Sequence, residues 1–252
     1  MWKLAASESV PHWRRVPPDP NAVLAFSTRR GGVSVAPFDT LNLGRSTVDD
    51  PAHVAENRTR LLAALGTTPE RLATAGQVHG ARIVQVTAPG HAPECDGLLT
   101  TVPGLALAVT TADCMSLLYT APGGVAAAHS GWRGTADGMP VAALQALRER
   151  TGASVTDCTV HIGPCIRGCC YEVGADVASR FPAAAVRDVE GSIRLDLPTA
   201  AREALRAAGV PDASILDTGA CSACEPHWYF SHRRDAGRTG RMWGLAMRIA
   251  RD

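Results

Sequence analysis

Residues 111–133 read TADCMSLLYTAPGGVAAAHSGWR, placing Cys114 and His129 at the far ends of two apolar runs joined by Ala121-Pro122-Gly123-Gly124. Read as a hairpin with an even-length turn, the ladder opposes even-numbered residues to odd-numbered ones. Side chains alternate with period two, so Cys114 and His129 fall on one face near one end, provided no bulge intervenes. The strands themselves, Met115–Tyr119 and Val125–Ala128, are apolar, which confines the polar pair to the rim of a rigid scaffold. Three uses are open to such a pair. It can be a thiolate–imidazolium nucleophile and base. It can supply two of three ligands to a catalytic zinc that keeps an open fourth position. Or it can be an unrelated core thiol and surface imidazole.

A third ligand decides between these. Gln77-Val78-His79-Gly80 ends another short strand, with a histidine held against a glycine that permits close backbone approach. His79, Cys114 and His129 together offer mixed nitrogen and sulfur ligation, which suits zinc first and copper second.

Two other soft clusters compete. Residues 221–232, CSACEPHWYFSH, contain Cys221, Cys224, His227 and His232, superficially a structural zinc knuckle. The two pairs are nearly contiguous, however, whereas a finger places about a dozen residues between them. Cys165, Cys169 and Cys170 in IGPCIRGCCYEVG read as packing or adventitious metal binding.

The elements that must position these residues follow from periodicity and punctuation. A strand is expected over 22–28 and a helix over about 52–65, capped by Asp49 or Asp50, with Pro51 near its start and Gly66 past its end. Its apolar stripe is Val54, Leu61, Leu62 and Leu65, and Arg58 falls on the same stripe. A core-facing arginine either snorkels outward or pairs with an anion. Short β segments crowd together near 74–78, 82–87, 105–111, 115–120 and 125–129, followed by a helix near 136–150. Beyond them the pattern gives strands near 158–162, 192–196, 214–217 and 242–249, and helices near 174–181 and 198–208. With no long polar linker inside 22–250, the pattern is one α/β domain with central hairpins, preceded by a Pro-rich arm over 1–21.

Composition removes several classes. A net charge of +1 gives no reason to expect nucleic acid or an anionic membrane as partner. The N-terminal segment lacks the apolar core of a signal peptide, and no apolar run is long enough to span a bilayer. The 8 cysteines are then expected as reduced thiols in cytoplasm. Lys3 is the only lysine, so P-loop, Schiff-base and pyridoxal chemistry lack their residue.

STRRGGVSVAPFDTLNLG, QVHG, TADCMSLLY, AAHSGWRG, IGPCIRGCCYEVG and YFSHRRDAGRTGR, in this order from about Phe26 to Arg248, together resemble the laccase-domain family. This family is also known as multicopper polyphenol oxidoreductase, YfiH-type protein and peptidoglycan editing factor. The resemblance implies a single-domain four-layer α/β/β/α sandwich with mixed sheets over 22–252. It implies a zinc site at His79, Cys114 and His129. It also implies a purine nucleoside phosphorylase acting on adenosine, inosine and methylthioadenosine, with adenosine deaminase activity. Arg29, Asn42, Arg58, Gln77, Asp113 and Arg133 lie inside the family's blocks and become expected site residues, with Arg58 now read as an anion partner.

The laccase name itself fits poorly, because a blue multicopper oxidase needs about ten histidines, largely in His-x-His pairs. This chain has 8 histidines and no His-x-His. Copper-dependent phenol oxidation is therefore expected only as a side activity.

Phosphorolysis would need an anion seat, for which Arg29, Arg58 and Arg133 are the candidates because a guanidinium fork matches phosphate. In deamination Asp113 would be a proton shuttle or an orienter of the site. The His-x-Glu…Pro-Cys-x-x-Cys pattern of zinc deaminases is absent. Two other readings stand beside this one: a Cys114–His129 hydrolase or amidase editing a cell-wall precursor, and a non-catalytic metal-binding protein.

Overall fold

The computed structural model describes residues 1–249. Its strands are β1 (Trp2–Leu4), β2 (His12–Arg15), β3 (Ala22–Ser27), β4 (Leu72–Ala75), β5 (Ile83–Gln85), β6 (Gly90–Ala92), β7 (Gly97–Thr100) and β8 (Ala106–Thr111). They continue as β9 (Met115–Ala121), β10 (Gly124–Ser130), β11 (Thr159–Ile162), β12 (Val186–Val189), β13 (Ser192–Leu195), β14 (Ile215–Asp217) and β15 (Met242–Arg248). The helices are α1 (Pro51–Ala64), α2 (Trp132–Ala136), α3 (Met139–Thr151), α4 (Ala175–Ala178) and α5 (Leu197–Ala207).

A seven-stranded sheet in the order β1-β2-β3-β15-β8-β4-β6 stacks on a six-stranded sheet in the order β14-β11-β9-β10-β7-β5. Both are mixed: β4 runs parallel to β6 and β8, and β11 parallel to β14, while most other pairs are antiparallel. A separate ribbon pairs β12 with β13.

The core shows why the central strands read as continuous apolar runs. Leu118 of β9 and Val125 and Ala127 of β10 pack between the sheets with Phe26, Leu107 and Val109. Their neighbours Leu117, Tyr119, Ala126 and Ala128 point the other way, against Leu144 and Leu147 of α3 and Leu205 of α5. Across the larger sheet, Ala106, Ala108 and Leu245 face Leu61 and Leu62 of α1. With both faces of each sheet covered, no polar alternation survives. The result is one α+β domain in α/β/β/α layers. Truncating a fully buried leucine such as Leu118 would cost about 2–5 kcal/mol.

Local signals account for the helices. Asp50 caps α1 by accepting from Ala52 N at 2.8 Å, and Pro51 opens the helix. The helix expected over about 136–150 is α3; a short α2, not expected, precedes it, and Gly138 at φ +87° separates the two. Segment 1–21, expected as an arm, supplies the edge strand β1 and its neighbour β2. Among the described residues, no helix is long and apolar enough to cross a membrane.

Candidate metal centre and its cavity

The hairpin register runs from Gly124↔Ala121 to Ser130↔Met115 without a bulge. Extending it by one pair sets Cys114 opposite Gly131, so Cys114 and His129 both face the space between the sheets, at the end where the apolar core stops. There the ligand atoms of His79, Cys114 and His129 lie within 4.8 Å of one another. The two imidazoles meet edge to face, with centroids 4.9 Å apart.

One carboxylate organises this cluster. Asp96, fully buried at the start of β7, accepts from His129 Nδ1 at 2.8 Å and from the backbone N–H groups of Val78, His79 and Gly80 at 3.1, 2.9 and 2.8 Å. Three consecutive donors on one side chain hold His79 at φ +65°, a left-handed conformation that histidine tolerates better than most residues. Tying down Nδ1 leaves Nε2 of His129 for the centre. A Cβ at Gly131 would sit 2.8 Å from Cys114 Sγ and 3.6 Å from His79 Cδ2, so only glycine leaves the sulfur and imidazole room to converge.

Electrostatics match the geometry. Burial alone would push the Cys114 thiol up, but the neighbouring His129 and His79 outweigh it and bring it down to about 6. Burial likewise disfavours charge on His129, yet Cys114 and Asp96 raise it to about 9. The donor set is therefore a thiolate and two imidazoles, one backed by a carboxylate, a mixed sulfur and nitrogen set whose chemistry fits zinc or copper.

The cluster lines a cavity of about 900 Å³, the upper size for a small-molecule site. Arg58 reaches this cavity from α1. Its Nε and one terminal nitrogen donate to Leu43 O at 2.9 and 2.6 Å, its guanidinium lies over Trp243, and its other terminal nitrogen is buried with no partner among the described residues. Burial and the adjacent Arg45 lower it to about 10. Arg45, Arg233 and Arg241 also line the cavity, and none of the four makes an ion pair among the described residues.

The other expected site residues divide. Gln77 lines the cavity, but its amide is used at both ends by the backbone of Thr110, at 2.8 and 2.7 Å, which locks the end of β4 to that of β8. Asp113 lines it too, at φ +87°, accepting from Ser222 Oγ at 2.6 Å and Arg233 N at 2.7 Å. Three others are not among the cavity's lining residues. Arg29 is bound to Asp39 and to the carbonyls of Asp39 and Pro226. Asn42 is fully buried, bridging Thr47, Asp49, Gly44 and Arg241. Arg133 is exposed and stacks on Trp132.

The knuckle that Cys221, Cys224, His227 and His232 superficially suggest, and that their near-contiguous spacing argues against, does not form. His227 packs edge-on against Trp228 and His232 lines the cavity, while the two cysteines meet Cys169 and Cys170. Sequence reasoning missed Asp96, whose one signal is a carboxylate inside the otherwise apolar stretch CDGLL. It also missed Arg233 and Arg241, which both lie within the block YFSHRRDAGRTGR.

Comparison with known proteins places these features in a family. The profile for multi-copper polyphenol oxidoreductase laccase matches residues 23–249. A purine nucleoside phosphorylase of Deinococcus radiodurans is 45% identical over 88% of this chain and 87% of its own. The purine nucleoside phosphorylase YlmD of Geobacillus stearothermophilus is 38% identical over 91% of this chain and 92% of its own. The crystal structure of that organism's YlmD superposes with a TM-score of 0.92 at 37% identity, covering 99% of both chains. YfiH of Bacillus licheniformis superposes at 0.85 with 33% identity, over 91% of this chain and 93% of its own. With residues 23–249 matched by the profile and its fold and most of its length shared with these relatives, the chain belongs to the multi-copper polyphenol oxidoreductase laccase family.

Proposed function

We propose that the chain is a cytoplasmic, zinc-dependent purine nucleoside phosphorylase, splitting adenosine, inosine or methylthioadenosine with phosphate into the free base and the sugar 1-phosphate. Adenosine deamination is proposed at the same site. The observation that carries this reading is one cavity shared by a His₂Cys ligand set and a buried arginine with an unused donor. The relatives named as purine nucleoside phosphorylases support it.

His79, Cys114 and His129 would hold the zinc, which when bound supplies Lewis acidity to a polar substrate atom. The rest is work for the chain's own groups. Arg58 donates its free nitrogen to phosphate, and Arg45, Arg233 and Arg241 neutralise the remaining anionic charge, so the nucleophile is held beside the sugar. The phosphate oxygen bonds to the anomeric carbon as the glycosidic bond to nitrogen breaks, and the departing purine takes up the proton that the attacking hydrogen phosphate gives up. Arg29 and Arg133 keep at most an indirect part, through the loop carrying Asp39 and through Trp132. Asp113 acts as a positioning residue: it fixes the residue before Cys114 to the segment bearing Arg233.

A second reading has one observation in its favour. Asp96, His129 and Cys114 form a hydrogen-bonded series with a depressed thiol, as a cysteine hydrolase acting on a cell-wall precursor would need. Such an enzyme gives His79 no task. Activity abolished by alkylation and untouched by chelation would favour it.

Adenosine incubated with and without phosphate, with wild type, Cys114→Ala and Arg58→Ala, tests the main reading. Phosphate-dependent adenine release should disappear in Cys114→Ala and fall sharply in Arg58→Ala. Equal adenine and inosine formation by all three would exclude it.

A further inference from the structure

The structure gathers a second soft cluster that the nucleoside chemistry does not use. Cys169 and Cys170 lie in the loop after β11, and Cys221 and Cys224 in the loop after β14, yet one ligand atom from each lies within 4.8 Å of all the others. The Sγ–Sγ distances are 3.5 Å for Cys169–Cys221, 3.5 Å for Cys169–Cys224 and 3.1 Å for Cys170–Cys224. A disulfide would bring one pair to about 2.05 Å. Four sulfurs at about 2.3 Å from a tetrahedral zinc stand about 3.8 Å apart, close to what is seen.

The surroundings are those of a ligand set. Arg194 donates to Cys169 O at 3.2 Å and Arg167 to Ala220 O at 3.2 Å, setting two guanidiniums beside a centre that would carry two net negative charges.

We propose that Cys169, Cys170, Cys221 and Cys224 bind a structural zinc ion, separate from the His79–Cys114–His129 centre. A closed set of four sulfurs selects zinc among available divalent ions and leaves no open position for chemistry. Its task follows from the loops it joins. Residues 218–241 form a long connection without regular strand or helix, a length that demands some other source of order. A short parallel bridge pairs Cys165 with Cys221, and Ser222 N donates to Cys165 O at 3.0 Å; little else ties the two loops' backbones together. Through this connection come Ser222, which holds Asp113, and Arg233 and Arg241 of the cavity wall. The ion thus staples one wall of the cavity to the sheet that carries the other metal centre, and its binding energy is folding energy for that wall.

Metal analysis of the full chain, purified under reducing conditions with zinc supplied, decides the matter. Wild type should hold two zinc equivalents. Cys114→Ser should hold one, whose zinc-edge absorption shows sulfur alone at about 2.3 Å. The double variant Cys170→Ser/Cys224→Ser should also hold one, with mixed nitrogen and sulfur ligands. Should that variant fail to fold, wild type and Cys114→Ser still give the answer. A wild-type zinc that the double variant Cys170→Ser/Cys224→Ser retains in full, no zinc left in Cys114→Ser, or disulfides among the four cysteines by mass mapping would each overturn the proposal. None of these measurements depends on nucleoside turnover, so the phosphorylase assignment stands or falls separately.

Discussion

Asp96 Oδ1 accepts a hydrogen bond from His129 Nδ1 at 2.8 Å and from the backbone N–H of His79 at 2.9 Å, so one carboxylate oxygen sets the position of two ligands at once. Its second oxygen holds the N–H groups on either side, of Val78 and Gly80. Burial disfavours charge on Asp96, but His129 and these N–H groups outweigh it and keep the carboxyl below its ordinary range. Asp96→Asn replaces one acceptor by a donor, which must then face another donor. Zinc affinity, titrated against a chromophoric chelator, should fall about 10- to 100-fold. Affinity unchanged in this variant would mean that the ligands are positioned without it.

Stripped of metal, the site should expose its thiolate. Burial opposes ionisation of Cys114, yet the His129 and His79 imidazoles win and set it at about 6. Cys169 and Cys224 lie at about 11, so they stay protonated and slow near neutral pH. Iodoacetamide labelling followed by peptide mapping should therefore show Cys114 reacting with a midpoint near pH 6, and His129→Ala should move that midpoint upward. A Cys114 rate that rises only in the alkaline range would refute the pairing. The sign for stability follows. A thiol lowered in the fold adds stability above its unfolded value of 9.0, lost as pH falls towards about 6. His129, raised to about 9, adds stability below 6.5 that is lost as pH rises through about 9. The two slopes oppose each other between these limits, so the metal-free protein should show a flat stability profile there.

Arg58 offers a test confined to phosphate. Lysine in its place retains a charge but loses the planar fork, which is already committed to Leu43 O on one side. A lost charge-assisted hydrogen bond of about 1.5–3 kcal/mol corresponds to about a 10- to 100-fold rise in the KM for phosphate in Arg58→Lys. Deamination needs no phosphate and should change much less. Equal losses in both reactions would place Arg58 in the architecture rather than in the anion seat.

What the sequence disclosed depended on how the residues are linked. Cys114 and His129 could be set on one face because period-two alternation and an even turn carry parity through a bulge-free hairpin. His79 was marked by Gly80. Arg58 stood out because helical spacing put a charge among leucines, and α1 does bury it. Asp96 was invisible: its acceptors are filled by backbone groups of residues 78–80, which no side-chain pattern announces. Cys169 and Cys170 could not be joined to Cys221 and Cys224 either, because irregular loops have no period from which to read a register. Strands β1 and β2 span only Trp2–Leu4 and His12–Arg15, too short for alternation to show. Arg29 and Arg133 had the right chemistry for an anion, but backbone carbonyls and an indole face are what they meet.

Asp113 separates proton transfer from positioning. Its Oδ1 receives the Ser222 hydroxyl and its Oδ2 the Arg233 N–H, while its own backbone sits at φ +87°, which asparagine also tolerates. In Asp113→Asn the amide oxygen can still accept from Arg233 N, and the amide N–H can donate to Ser222 Oγ once that hydroxyl rotates. Geometry survives and proton capacity does not. A shuttle lost in this way would lower deamination about 10²–10⁴-fold and remove an ionisation from its pH profile. As a positioning residue, Asp113 should instead give an asparagine variant within a few-fold of wild type with an unaltered profile. Asp113→Ala, which releases both Ser222 and Arg233, should lose activity in phosphorolysis and deamination together. Collapse of the asparagine variant with the alanine variant's zinc content intact would return Asp113 to the chemistry.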